Sequence, residues 1–388
     1  MNIGYVYNLN IIPPKGGNHV HALELLTGFV ERGHQVAVVN DSTVQVAKNF
    51  GSSVAELQEF ANWIDVLYVR IDGRYLSSWG ELGMLNALVS DKPIVWEINA
   101  PANEALAYSH LGGLLHWSRS SESLYKRMKR CIHAYKKYPG IILEEKLRKK
   151  MANKVDAAIC VSSALGNYAI NGLGVKKTLV VPNGGPFLPA EEINARSCKK
   201  VSEKFTVLYS GSAMYPWQGL NLFAEAIKQA EKKYPEIRFV MAVNQRSDYI
   251  PNTTNLEVKE GLGRDQLFDE ICQADLCVAI HPEYFWSKWG FHGSPMKMFE
   301  YMACDSAVLA SNIGQMKDIL HDEVTGFLCE NTPESILDKI IFARDNPILV
   351  KKVGTAGKNL VDEEYSWKNN VARTIEVFEN VIEDRSKA

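Results

Sequence analysis

Short apolar runs alternate along this chain with stretches of helical periodicity. Residues 2–7 form a β-branched and aromatic run that predicts a strand. Residues 19–32 follow with apolar positions at Val20, Leu23, Leu25, Leu26, Phe29 and Val30, the spacing of a helix face, and Gly33 ends it. Gln35–Val39, Val66–Val69, Pro93–Trp96, Ala157–Val161 and Thr178–Val181 continue as strands. A second series starts at Thr206–Ser210 and runs through a helix near 219–232, Arg238–Ala242, Leu256–Val258 and a helix near 264–273. It closes with Leu276–Ile280, a helix at 295–303 and Ala307–Ala310. Strands joined by helical crossovers predict parallel sheets with helices on both faces. Between the series, Pro186 to Lys204 is polar and mixed in charge, a linker. The prediction is an α/β chain of two doubly wound, Rossmann-like domains, 1–190 and 191–366, with a cleft between their strand ends. A last helical stretch at about 365–383 carries Trp367, Val371, Ile375, Phe378 and Val381.

Composition narrows the class without changing this picture. The 388 residues are 46% hydrophobic and 23% charged, with a net charge of −2, so the molecule as a whole is no polyanion binder. No run approaches the roughly 18 consecutive apolar residues of a transmembrane helix. The N-terminal residues lack a basic and then apolar leader and read as a first strand. The seven cysteines form neither a CxxC pair nor a zinc spacing, which fits a reducing cytoplasm. No Asp-x-Asp pair sits at a strand end, so no metal is expected. No GxGxxG follows a strand with an acidic residue about 20 positions on, which disfavours a nicotinamide enzyme.

The candidate chemistry lies in the turns after the strands. Gly293-Ser294-Pro295-Met296-Lys297-Met298-Phe299-Glu300 is a small-residue turn entering a short helix. Backbone N–H groups at such a start favour a phosphate, and the fixed φ of Pro295 suits the first helical position. Glu300 falls further along the same helix, where a carboxylate accepts hydrogen bonds from sugar hydroxyls. Gly16-Gly17-Asn18-His19-Val20-His21 opens the first helix, and Trp96-Glu97-Ile98-Asn99-Ala100-Pro101 ends a strand. Tyr209-Ser210-Gly211-Ser212 through Gln218-Gly219 is a strand–glycine–loop–glycine–helix plan. Val161-Ser162-Ser163 and Pro182-Asn183-Gly184 read as structural turns.

These motifs together resemble the retaining glycosyltransferases of family 4, the glycosyl transferases group 1, which have the GT-B fold. The resemblance spans nearly the whole chain. It implies that the terminal helix, about 367–388, packs back on the first domain. It implies donor contacts from Gly17, Gly211, Ser212, Gln218, Arg264, Gly293, Ser294, Pro295, Met296 and Glu300. It places His19 and Glu97 on the acceptor side and Asn99, His292 and Lys297 at the reacting centre. Three departures stand out. Ser212 and Gln218 occupy the places of an arginine and a lysine that normally neutralise the donor diphosphate. His292 stands where a first glutamate is usual, and Asn99 where a histidine is usual. Lys297 is the best replacement cation, ahead of Lys288, Arg264 and His292.

Residues 126–154 are strongly basic, with Leu124, Tyr125, Met128, Ile132, Tyr135, Tyr138, Ile141, Ile142, Leu143 and Leu147 interleaved among the lysines and arginines. This reads as a surface for an anionic membrane or acceptor, or as a solvated pair of helices; no recognition module for nucleic acid accompanies it. The resulting expectation is a retaining, metal-independent hexosyltransferase without a cofactor, acting in polysaccharide biosynthesis. Its co-substrate is a nucleotide-diphospho-sugar of undetermined UDP or GDP type, and its acceptor a glycan or a lipid-linked glycan. It would be cytoplasmic and peripheral to the inner face of the membrane. A catalytically impaired GT-B partner subunit and a sugar-nucleotide epimerase remain alternatives.

Overall fold

The computed structural model describes residues 1–6, 17–39, 44–73, 79–102, 124–198, 202–213, 218–284 and 287–387. Gly16 and the loop residues 214–217 of the motifs above lie outside them.

Two parallel sheets organise the chain. The first has seven strands in the order β3-β2-β1-β4-β5-β6-β7, with β1 at Asn2–Val6, β2 at Gln35–Val39, β3 at Lys48–Phe50, β4 at Val66–Ile71, β5 at Ile94–Ile98, β6 at Ala157–Cys160 and β7 at Thr178–Val180. The second has six in the order β10-β9-β8-β11-β12-β13, with β8 at Phe205–Gly211, β9 at Ile237–Val243, β10 at Leu256–Glu260, β11 at Leu276–Ala279, β12 at Ala307–Ser311 and β13 at Phe327–Cys329. Each sheet reverses its strand order between neighbours, β1 against β4 and β8 against β11, which opens a crevice at the strand carboxyl ends. The central strands are buried throughout: β4 and β5 expose no side chain, because helices cover both faces.

Several helices form on local signals. Helix α1 spans Gly17–Glu31. Helix α2, Val54–Trp63, starts on a capping box in which Ser53 and Glu56 satisfy each other's backbone N–H. Helix α3 spans Trp79–Leu88 and α4 spans Leu124–Ala152. The basic segment is therefore one long helix rather than a pair, with Pro139 inside it. Helix α5, Ser163–Asn167, begins on the Ser162 hydroxyl and continues into a π-helical turn. The Pro186–Lys204 stretch contains a further helix, α6 at Ala190–Ser197, with Glu191 and Glu192 in its first turn and Arg196 in its last. Arg196 reaches Asp269 at 2.8 Å, which ties α6 to the second sheet's side of the molecule.

The last helix, Trp367–Ser386, returns to the first sheet. Its Trp367, Val371, Ile375, Phe378 and Val381 share one core with Phe29 and Tyr68. Gly28, mid-way along α1, is where the two helices touch: a Cβ there would meet Val371 Cγ2 at 2.5 Å. Alanine normally stabilises a helix interior by about 0.5–1 kcal/mol over glycine. Overpacking against a stiff β-branched side chain outweighs that. Gly28→Ala is expected to lower stability by about 1–2 kcal/mol in urea unfolding; an unchanged or raised midpoint would show that the helix pair yields freely.

Candidate functional site

The helix at the centre of the site spans Met296–Ala303 and is labelled α9, after α7 at Leu220–Lys233 and α8 at Arg264–Gln273. Its Met298, Phe299, Tyr301, Met302 and Ala303 are buried in the second domain. Lys297 and Glu300, three apart, share the opposite side. Tyr301 fixes the helix to the end of β8, its hydroxyl 2.8 Å from the Ser210 N–H. Pro295 is the residue before the helix and not its first turn, with φ −70° and ψ 104°. Its extended ψ turns the chain into the helix; the Met298 N–H donates to the Pro295 carbonyl at 3.0 Å, and the N–H groups of Met296 and Lys297 precede the intrahelical ladder.

Lys297 points at the substituted loop. Its Nζ donates to Gln218 Oε1 at 2.8 Å, lies 4.2 Å from the Tyr209 ring centroid, and would meet a Cβ at Gly211 at 3.1 Å. Gly211 has φ +138°, a backbone shape that favours glycine. The ammonium thus sits where the loop provides no cation of its own. Burial in this half-enclosed place pushes its pKa down to about 7, against a smaller opposing effect of Glu300. Glu300 is shifted upward by burial, with Arg264 pulling it the other way. Arg264 pairs with Glu24 of α1 at 3.0 Å, a contact between the two domains. Ser212 is half-buried, and its carbonyl accepts from the Tyr209 hydroxyl at 3.0 Å.

The turn before α9 is held from the first domain. Asn183 donates its backbone N–H to Ser294 Oγ at 3.0 Å and its side-chain Nδ2 to the Ser294 carbonyl at 2.7 Å. The Ser162 hydroxyl donates to the His292 carbonyl at 2.8 Å, and Gln315 donates to the Val161 carbonyl. Gly17 faces the helix start across the cleft: a Cβ there would stand 3.3 Å from Met296 Sδ. His292 is buried, its Nδ1 3.1 Å from the Gly290 carbonyl and its ring packed edge-on to Tyr284. These ring contacts are with its own loop, while its carbonyl reaches Ser162 of the first domain. The Gly293 Cα side abuts the Phe291 ring.

On the first domain, Glu97 is the hub of a buried charge cluster. Arg70 and Glu97 are direct cross-strand partners on β4 and β5, with Nη1 3.5 Å from Oε1. His21 Nε2 lies 2.5 Å from the same oxygen, and His21 Nδ1 lies 2.7 Å from Asn183 Oδ1. Asn99 Nδ2 donates to Glu97 at 2.7 Å. Arg70 also donates to Asn18 Oδ1 at 3.3 Å. Glu97, expected on the acceptor side, is 1% exposed. His21, Arg70 and Asn99 all converge on its Oε1, and its effect is to orient Asn99, which is half-buried at the strand end. His19 is half-buried near the start of α1. Arg70 is the member that sequence reading passed over; His21 stood in the Gly16–His21 motif without a role, and Asn183 was read as part of a structural turn. Among the described residues, no three His, Cys, Asp or Glu side chains converge as a metal site requires.

Neighbouring His21 and Arg70 hold Glu97 down at about 2 despite its burial, while burial shifts His21 downward. A carboxylate depressed in the folded state stabilises above its unfolded value and loses that contribution as pH falls through its folded value. The parent is therefore expected to lose roughly 3 kcal/mol between about pH 5 and pH 2 through this group. Glu97→Gln should flatten that slope and cost about 3–5 kcal/mol at neutral pH, because Arg70 stays buried without its counter-charge. An unaltered acid-unfolding profile in the variant would refute the cluster's role.

Residues 204–346 match the family described as glycosyl transferases group 1. The chain is 24% identical over 252 residues to an uncharacterized glycosyltransferase of Methanocaldococcus jannaschii, covering 62% of each chain. The match spans 62% and 60% of the lengths of two such archaeal relatives. It is 20% identical to the phosphatidyl-myo-inositol mannosyltransferase of Mycobacterium tuberculosis, over 100% of this chain and 99% of that one. Among solved structures, sucrose-phosphate synthase from Thermosynechococcus elongatus superposes with a TM-score of 0.67 at 14% identity, covering 99% of both chains. Anabaena HepE in complex with UDP and glucose superposes with a TM-score of 0.66 at 14% identity, covering 98% of this chain and 100% of that one.

Proposed function

We propose that this chain, a GT-B fold protein whose second domain belongs to the glycosyl transferases group 1, transfers a sugar from a nucleotide-diphospho-sugar to a glycan or lipid-linked acceptor with retention at the anomeric carbon. The observation that carries the reading is Lys297. The donor loop lacks its usual arginine and lysine, and a buried diphosphate needs compensating charge. Lys297 brings an ammonium from α9 to within 2.8 Å of Gln218, at the position the loop lysine leaves vacant. The start of α9 adds first-turn N–H groups and the positive end of a helix dipole. A nucleoside diphosphate on HepE, a GT-B neighbour, supports the same donor class here.

The reaction follows from that placement. The bond between the anomeric carbon and the β-phosphate oxygen breaks, and charge grows on the phosphate, where Lys297 and the helix N–H groups stabilise it. The acceptor hydroxyl attacks from the same face, and its proton goes to the departing phosphate, so no protein nucleophile is required at His292. Glu300 accepts a ribose hydroxyl, and Arg264 stands beside it. Asn99, with its amide N–H engaged by Glu97, presents its carbonyl oxygen to a sugar hydroxyl. Gly17 gives the donor room between the domains. His292 and Ser294 position the turn. The cation in this scheme is Lys297, so activity is expected to persist in EDTA.

Calorimetry with UDP, GDP and ADP tests the reading. One nucleotide is expected to bind, with Lys297→Met weakening it about 10- to 100-fold, the usual range for a charge-assisted contact. Phosphate restores the charged form of Lys297, so affinity should fall as pH rises above about 7 and the variant should lose that dependence. Failure of all three to bind would reject the donor site and favour a partner subunit. Turnover of a sugar nucleotide without any acceptor would favour an epimerase.

A further inference from the structure

Helix α4 carries an apolar stripe on its solvent side. Tyr125 is 73% exposed, Tyr135 70%, Leu143 55%, Met128 54%, Ile132 52% and Ile142 44%. These positions, with exposed Lys129, Lys136, Pro139, Lys146 and Lys150, step by three or four residues from 125 to 150, which is one face of a helix. The side chains of Lys126, Arg127, Arg130, Lys137, Tyr138 and Ile141 lie outside the described ones.

The acidic residues of the helix are turned away from that face. Glu144 is fully buried against Arg148 at 3.3 Å, and Glu145 accepts from the Tyr168 hydroxyl at 3.0 Å. Arg148, one of the basic residues of the segment, is itself buried and is not a surface charge. It donates to the Ala100 carbonyl at 3.1 Å and to the Asp72 carbonyl, which anchors α4 at the ends of β5 and β4 beside Asn99. The outer face is left with aromatic and aliphatic side chains among lysines. That combination fits an interface between hydrocarbon and anionic headgroups: rings sit at headgroup depth, and lysine stems lie along the apolar surface with their ammonium groups outward. A second copy fits less well, because a two-fold contact would set lysine against lysine.

We infer that the outer face of α4 docks the protein on an anionic lipid bilayer, lying in the interface rather than crossing it. Among the described residues no helix is long and apolar enough to span a membrane. The inference stands independently of the donor reading, since it uses neither α9 nor its loop. Its anchoring places the bilayer on the side of the first domain where Asn99 opens to the cleft.

Vesicle co-sedimentation of the full chain tests it, with phosphatidylcholine alone and with a phosphatidylcholine and phosphatidylglycerol mixture. Binding is expected to the mixture, to weaken with added salt, and to be much poorer on phosphatidylcholine alone. Lys129→Gln/Lys136→Gln/Lys146→Gln should weaken it roughly 100-fold. Ile132→Ser/Tyr135→Ser should weaken it without changing charge, which separates insertion from ionic adsorption. These side chains are exposed, so both variants should keep the parent's circular dichroism and melting temperature. Equal partition onto the two vesicle types, or variants that bind like the parent, would overturn the inference. So would a monomer–dimer equilibrium in the absence of lipid that Ile132→Ser/Tyr135→Ser abolishes.

Discussion

Asn183 stands where the chain leaves the first sheet for the second, and three of its polar groups take part in holding the domains in register. Two of its bonds go forward to Ser294, at the turn before α9, and one goes back to His21, beside Glu97. The two residues that follow are glycines because backbone passes within reach on either side. A Cβ at Gly184 would meet the Trp367 backbone nitrogen at 2.6 Å, and one at Gly185 would meet the Phe299 carbonyl oxygen at 2.7 Å. Three elements distant in sequence therefore meet at this one crossing: the start of α1, the start of α9 and the start of the last helix. The width of the cleft depends on that meeting.

Charge within the cleft is distributed on the same plan. The first domain closes its buried charges on themselves, with Arg70 and His21 converging on Glu97, so that only the Asn99 amide is offered outward. The second domain leaves its cation, Lys297, under-solvated and paired only with a neutral amide among the contacts described. A site with a stranded ammonium and a helix N-terminus is incomplete without an anion. In the proposed reading, that contrast puts the anionic end of a donor on the second domain and the neutral hydroxyls of an acceptor on the first.

Helix α9 was legible because its signals are local. A small turn, a proline, and a lysine and carboxylate three apart stand within nine residues, and apolar positions elsewhere fix which side is buried. The strands were legible for the same reason. The Glu97 cluster was not, because its members come from Arg70, His21 and Asn183, which only the register of β4 on β5 and the crossing of the domains bring together. Only the resemblance singled out Glu97; that it pairs across the strands with Arg70 is visible from the register alone. Helix α2 carried a readable Ser53–Glu56 capping box that the weaker apolar pattern obscured. The helix inside the linker was hidden by its polarity, although acids at its start and Arg196 at its end mark it. A pair of helices was one reading of residues 126–154, and the structure carries a single helix, α4, through Pro139.

The most direct test is a structure of the protein with a nucleoside diphosphate bound. The account predicts the β-phosphate at the start of α9, within hydrogen-bonding distance of the Lys297 ammonium and the first-turn N–H groups, with the Lys297–Gln218 contact opened or shared. A nucleotide bound elsewhere, or one seated in the cleft while Lys297 stays on Gln218 and away from the phosphates, would contradict it.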